Sequence, residues 1–281
     1  MKLNRMSAAL VAGLLVAAAP LANAQDAKGS WNGGYVGAYA GIVDKPDNGD
    51  SDRFLFDTNL DGNFNDTVRT GAGADAFSPG FCNGVAQTAT PAGGCAENSG
   101  GADWGLRAGY DWQFDRFVVG VVGEYGLMDA RDAVSAFSTT PARYSMLRKI
   151  DGIAALRARI GVVVGDDEAN LVYATAGGAR ASIENSFATS NGVNTFTDNG
   201  DTDASGHQLG LGYERRFGQA FTVGVEYLRT ELDDGDYRVR AAGPAPATNP
   251  FILQNPNGTD FRRSDTDIEL DSLRITASYR F

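Results

Sequence analysis

The sequence predicts an all-β fold: an eight-stranded antiparallel transmembrane β-barrel with four long extracellular loops and short periplasmic turns. Three observations predict it. Segments of about ten residues alternate between apolar and polar side chains, as a strand with one apolar face must. The links between these segments are short and long in turn, the rhythm of a membrane barrel. The chain also closes on an alternating segment that ends in an aromatic residue.

The closing segment sets Leu273, Ile275, Ala277, Tyr279 and Phe281 against Ser272, Arg274, Thr276, Ser278 and Arg280. Trp104, Leu106, Ala108, Tyr110, Trp112 and Phe114 alternate as cleanly with Asp103, Gly105, Arg107, Gly109, Asp111 and Gln113. After Asp115-Arg116 a third run carries Phe117, Val119, Val121, Tyr125 and Leu127 on one face, with Gly120, Glu124 and Gly126 on the other. Leu209, Leu211, Tyr213 and Phe217 alternate with Gln208, Gly210, Gly212, Glu214 and Arg216. Phe221, Val223, Val225 and Tyr227 follow after Gly218-Gln219. Three similar segments complete the eight. Trp31 to Val43 places Trp31, Tyr35 and Tyr39 on one face, Ile150 to Val164 sets Leu156, Ile160 and Val162 opposite Arg157 and Arg159, and Leu171 to Ile183 is rich in small residues. Links near 115, 166–169 and 218–220 are short, and those near 45–101, 129–147, 185–203 and 233–265 are long. Large aromatics at the strand ends suit an interfacial girdle, which favours a membrane barrel over a secreted sandwich or a lipocalin-like barrel.

Residues 1–24 read as a cleaved signal peptide: Lys2 and Arg5, an apolar stretch from Ser7 to Ala19, then Ala22-Asn23-Ala24. The apolar stretch is shorter than the roughly 20 residues of a membrane helix. The mature chain then runs from Gln25 to Phe281 as one domain, exported through the periplasm, with a long first loop at about 45–101. The formal net charge of −11 argues against nucleic acid as a partner, since phosphate binding needs a basic surface.

Trp31-Asn32-Gly33-Gly34-Tyr35-Val36-Gly37 resembles the opening of small alphaproteobacterial outer-membrane proteins. Gly224-Val225-Glu226-Tyr227 resembles their penultimate strand, and Tyr279-Arg280-Phe281 their closing end. The group carries the labels "porin family" and "outer membrane protein β-barrel domain". The resemblance implies a place in the cell outer membrane of a Gram-negative bacterium, among its lipid and lipopolysaccharide. It also implies assembly by the barrel-assembly machinery, with Tyr279 and Phe281 as the assembly signal.

If the apolar faces meet lipid, the other faces line a lumen. Arg107, Asp111, Glu124, Arg157, Arg159, Glu214, Arg216, Glu226, Arg274 and Arg280 then point inward. Eight strands leave an interior that side chains can fill, so these groups predict a plug of ion pairs rather than a wide channel. Cys82 and Cys95 share one loop of an exported chain and are either a disulfide or two free thiols, with the compartment favouring the bridge. Asp57, Asn59, Asp61, the Asn63 carbonyl, and Asn65 or Asp66 resemble the start of a calcium loop, with Gly62 at its turn. The twelfth position is Val68 rather than Glu, and the same residues also suit a solvated turn. No other cofactor is indicated. His207, the one histidine, shares a strand face with Ser205, and no acid on that face completes a catalytic set, so an enzyme is not expected. The expected role is structural display at the cell surface, with a narrow small-solute channel as the alternative and a lipid-modifying enzyme as a distant third.

Overall fold

A computed structural model describes residues 30–44, 52–235 and 237–281. The signal peptide and the start of the mature chain lie outside the described residues. Eight long strands form the body: β1 (Gly33–Asp44), β2 (Gly101–Phe114), β3 (Phe117–Met128), β4 (Ala142–Val164), β5 (Asn170–Thr189), β6 (Thr202–Phe217), β7 (Phe221–Asp233) and β8 (Asp267–Arg280). Each pairs antiparallel with the next, and β8 returns to β1, with Val36 opposite Tyr279 and Ala40 opposite Ile275. Closure leaves no strand edge in the body, as hydrocarbon requires of any spanning sheet. No described helix is long and apolar enough to cross a membrane.

The outer wall is the apolar set of the alternation. Trp104, Leu106, Trp112, Phe114, Val121, Ile160, Leu211, Ile275 and Tyr279 are all exposed to the surroundings. From Trp104 to Phe114 at about 3.3 Å per residue and a tilt near 40°, the belt stands about 25 Å tall, the height of a barrel's lipid-facing band. Short turns close one end, helped by positive φ angles at Asp115 (55°) and Gly218 (66°).

The aromatic face of β1 corrects the girdle reading. Trp31, Tyr35 and Tyr39 point inward and are buried, as is Tyr173 on β5, while Val36 and Ile42 face out. Both faces of β1 are apolar enough for lipid, so alternation alone could not assign the sides. Glycine decides them. Tyr35 lies directly across from Gly109, where an added Cβ would sit 2.4 Å from the tyrosine ring. Tyr173 lies across from Gly212 with the same relation at 2.2 Å. The inward glycines are thus the floor on which these rings rest.

The long links are not loose loops. β4 and β5 run 23 and 20 residues and rise well past the apolar belt. Arg131–Ser138 pairs with the top of β4, and Gly80–Asn83 pairs with that strand in turn. Thr195–Asp198, Val239–Ala242, Thr259–Arg263 and Phe54–Asp57 form a separate four-stranded sheet drawn from three different links. Its inner face closes over an aromatic core that includes Phe54, Phe56, Phe77, Tyr144, Phe251 and Phe261. Phe56 and Phe77 approach to 4.7 Å between ring centres, and Phe54 stacks on Phe261 at 5.3 Å. The four links therefore fold into one cap.

The belt sets a graded sensitivity to charge. Leu156→Arg, at mid-height of the belt on β4, is expected to destabilise the barrel by about 2–4 kcal/mol, and Val164→Arg at the strand end by about 0–1 kcal/mol. Denaturant unfolding in lipid vesicles measures both, and equal effects would contradict a lipid-facing wall.

Candidate functional site

The interior is layered rather than polar throughout. At the turn end Trp31, Val118, Val163, Leu171 and Tyr173 pack together. At the cap end an apolar layer includes Val43, Met128, Ile150, Ile153, Leu232 and Ile268. The largest group of buried charges lies between them.

That middle layer joins five arginines to five carboxylates from six strands. Arg274 donates from Nε to Asp103 and from Nη1 to Glu124 at 3.0 Å. Arg157 bridges Glu124 at 2.8 Å and Glu226 at 3.0 Å, and also donates to Gln208. Arg159 grips Glu214 through two bonds of 3.2 Å, and Arg280 meets Asp111 at 2.7 Å. Arg107 stands among Glu124, Glu214 and Glu226 at 3.6–3.9 Å. Tyrosines frame the guanidinium groups: Arg159 lies 4.1 Å over the Tyr173 ring and Arg274 lies 4.3 Å over Tyr39. Tyr173 also donates its hydroxyl proton to Glu226. Equal numbers of opposite charges matter here, because one unmatched ion in so buried a layer would be costly.

Two residues depart from the sequence reading. Arg216 makes no ion pair in this layer: it sits at the turn-end mouth, donates to the carbonyls of Ser30 and Glu168, and lies over Trp31. Its position beside the last turn of the hairpin puts it below the carboxylates. Asp103, which sequence reasoning left out, is fully buried and partners Arg274. Its signal was present, since it shares the polar face of Arg107 and Asp111.

A second buried cluster ties cap to barrel. Arg263 reaches Asp52 and Asp132 at 2.6 and 2.8 Å, and Arg148 reaches Asp132 at 2.7 Å and the Asp267 carbonyl at 2.6 Å. Burial disfavours the charge on Arg263, but Asp132 and Asp52 outweigh it and hold the guanidinium pKa above its ordinary value. Burial and the neighbouring Arg263 lower that of Arg148.

The family model for the outer membrane protein beta-barrel domain matches residues 8–281. The chain belongs to that family. It is 26% identical over 204 residues to the 31 kDa outer-membrane immunogenic proteins of Brucella melitensis and Brucella suis, covering 72% of each chain. Among solved structures it is similar to the outer membrane protein OprG from Pseudomonas aeruginosa, with 14% identity, a TM-score of 0.46, and coverage of 91% of this chain and 100% of that one. This outer-membrane barrel resides in the cell outer membrane.

In this outer-membrane barrel His207 and Ser205 face outward just above the apolar belt. Sequence reasoning found no acid beside His207, yet Glu231 lies 3.3 Å from its Nε2. The acid comes from the paired strand β7, where the register sets Glu231 opposite His207, a neighbour invisible in the local pattern. Glu231 also holds Arg229, which reaches Glu269 and Asp271, so the histidine belongs to a polar rim.

The Asp57–Asp66 loop uses its oxygens on its own backbone. Asp57 accepts from the amides of Asp61 and Gly62, Asn59 from Asp61, Asp61 from Asn63, and Asp66 from Thr58. The Asn63 amide is the main reason the Asp61 carboxyl is held below its usual range. Among the described residues no three His, Cys, Asp or Glu side chains gather as a metal-binding group. Cys82 and Cys95 form a disulfide that joins Gly80–Asn83 to Cys95–Ala96 within the cap. Tyr279 and Phe281 are exposed on the outer wall, and the Phe281 amide donates to Gly34 across the closing seam.

Arg274→Met leaves the buried Asp103 without its guanidinium partner and removes one of the donors around Glu124, and is expected to cost about 3–5 kcal/mol. The double variant with Asp103→Asn is expected to recover part of that loss. Unfolding midpoints in detergent or lipid test both, and an unaltered midpoint for Arg274→Met would show that the layer contributes nothing to stability.

Proposed function

We propose that this barrel is a closed, non-enzymatic scaffold that displays its cap at the cell surface. The observation that carries the reading is the continuous filling of the interior. Trp31 is fully buried at one mouth, held by Gln113, Glu168 and Arg280. Above it follow the ion-pair layer, the apolar layer and the aromatic cap core, so that buried side chains occupy the tube at each level. Long loops of outer-membrane barrels face outward, so the cap is the part that antibodies and ligands meet. The Brucella relatives are named immunogenic proteins, which agrees with an exposed cap.

The polar rim of Arg229, Glu231, His207, Glu269 and Asp271 stands where lipopolysaccharide headgroups would lie. In this reading its role is interfacial. Ser205 makes no hydrogen bond to His207 among the described contacts, and nothing near the pair supplies an oxyanion site. Tyr279 and Phe281 serve recognition by the barrel-assembly machinery.

Two measurements test the proposal. Purified protein in planar bilayers is expected to give no discrete ion steps, whereas stable steps would establish the small-solute channel instead. On intact cells, Leu253→Cys in the cap is expected to react with an impermeant maleimide, and Gln219→Cys in the opposite turn only after the outer membrane is opened. The reverse pattern would overturn the display orientation.

A further inference from the structure

The outer face of the cap sheet carries a cleft of about 590 Å³, within the range of small-ligand sites. Its floor is a row across all four strands, in which Thr197, Arg240, Asp260 and Asp57 stand opposite one another in register. Alternation turns their neighbours Val239, Phe261 and Phe56 to the other face, where they are buried in the cap. The facing wall is the Asp57–Asp66 loop, which contributes Leu60, Gly62 and Phe64. That wall is preset. Asp66 bridges to Phe56 at the base of the loop, Asp57, Asn59 and Asp61 accept from loop amides, and Asn255 donates to the Asn59 carbonyl at 3.0 Å. Arg262 lies 4.6 Å over the Phe64 ring and holds it from one side. Leu60 sits at φ 62°, a left-handed conformation that a branched side chain rarely adopts. The fold accepts that strain where glycine would avoid it, and the side chain so placed is part of the lining.

The charges of the lining are mixed. Asp57, Asp198 and Asp260 stand with Arg238 and Arg240. Both Asp57 oxygens accept loop amides, and Arg240 holds Asp260 through two bonds of 2.6 and 2.7 Å. Asp198 and Arg238 are then left as single charges of opposite sign, both exposed. An ionic ligand of either sign would meet its own sign in this lining, which disfavours it. Ionised side chains are still the strongest partners for a neutral polar group: a carboxylate takes about four hydrogen bonds and a guanidinium donates about five. The cleft therefore sets acceptors and donors side by side in fixed places, with little apolar lining beyond Leu60 and Phe64.

We propose that this cleft binds a short neutral oligosaccharide. Its hydroxyls donate to Asp260 and Asp198 and accept from Arg238, Arg240 and the Thr197 hydroxyl. The C–H side of one ring rests on Phe64 and Leu60. A sugar ring carries hydroxyls around its rim and C–H groups on its faces, the same division of polar and apolar groups as this lining. A hydroxyl both donates and accepts, so one ring engages carboxylate and guanidinium together. An apolar peptide would leave those groups unmatched. Such a ligand reaches the cleft only if the cap is displayed, as proposed above. Binding to purified protein tests the cleft, whereas conductance and labelling test the display, so either can fail alone.

The test is calorimetric titration of full-length protein, in micelles of a detergent without a sugar headgroup, with neutral tetrasaccharides of glucose, galactose, mannose and N-acetylglucosamine. A tetragalacturonate and a tetraserine peptide serve as contrasts. At least one neutral sugar is expected to bind at least about tenfold more tightly than either contrast. Its affinity is expected to change by less than about twofold as salt rises, since no net charge is brought together. Phe64→Ala and Thr197→Val are expected to weaken that binding, and Val193→Ala, exposed on the cap outside the lining, to leave it unchanged. Leu60→Gly removes part of the wall and the backbone strain together, so it is expected to weaken binding without lowering the unfolding midpoint. Heat-modifiable migration verifies that every variant is folded. No binding of any neutral sugar, equal binding of the uronate or the peptide, a steep fall of affinity with salt, or unchanged affinity in both Phe64→Ala and Leu60→Gly would refute the proposal.

Discussion

An eight-stranded closed sheet encloses a space only as wide as the side chains that fill it. What occupies that space decides whether the barrel is a pore or a solid body, and how much its strands gain by closing. Here the space is matched in charge. Arg107, Arg157, Arg159, Arg274 and Arg280 face Asp103, Asp111, Glu124, Glu214 and Glu226, and most of these groups touch two or more partners from other strands. Each pairing therefore restricts strand position as well as neutralising a charge. A one-residue slip of any strand would turn its arginine or carboxylate out into lipid and its Leu or Val into the charged layer.

The tyrosines and glycines follow from the same constraint. A layer of guanidinium groups needs flat neighbours that tolerate positive charge, and Tyr35, Tyr39 and Tyr173 supply ring faces to it. Rings of that size fit a narrow tube only where the adjoining strand has no side chain. Gly109 and Gly212 meet that need, which explains why the inward face of so regular a barrel is rich in glycine. The lipid-facing wall imposes no such packing demand, and there the residues are simply large and apolar.

The sequence made the strands and most of their outward residues legible, because period-two alternation is a local signal; β1, apolar on both faces, was the exception. The charged lumen was legible for the same reason, as the complement of the outward set. What escaped depends on neighbours distant in the chain. Asp103 could be placed inside but not matched to Arg274, 171 residues away. Arg216 has the right parity yet the wrong height, and parity carries no information on height. Glu231 reaches His207 only through the β6–β7 register. The cap was the largest omission: its strands are short, and its core draws aromatics from separate links, so no single window shows a periodic pattern. The loop from Asp57 to Asp66 had the composition of a cation site, but composition does not say whether its oxygens face an ion or the local backbone.

The placement of charge in the barrel bears on what the cap can attract. The lumen layer is balanced, and the latch sets Asp52 and Asp132 against Arg148 and Arg263. Among the described residues the acidic excess therefore lies mostly on the surfaces. Such a surface repels anions generally and keeps the protein apart from polyanionic neighbours. On the outer face of the cap sheet Arg238 and Arg240 stand beside Asp57, Asp198 and Asp260, so even there the basic groups do not outnumber the carboxylates. The Asp57 carboxylate there is turned to its own loop, and Asp260 is held by Arg240.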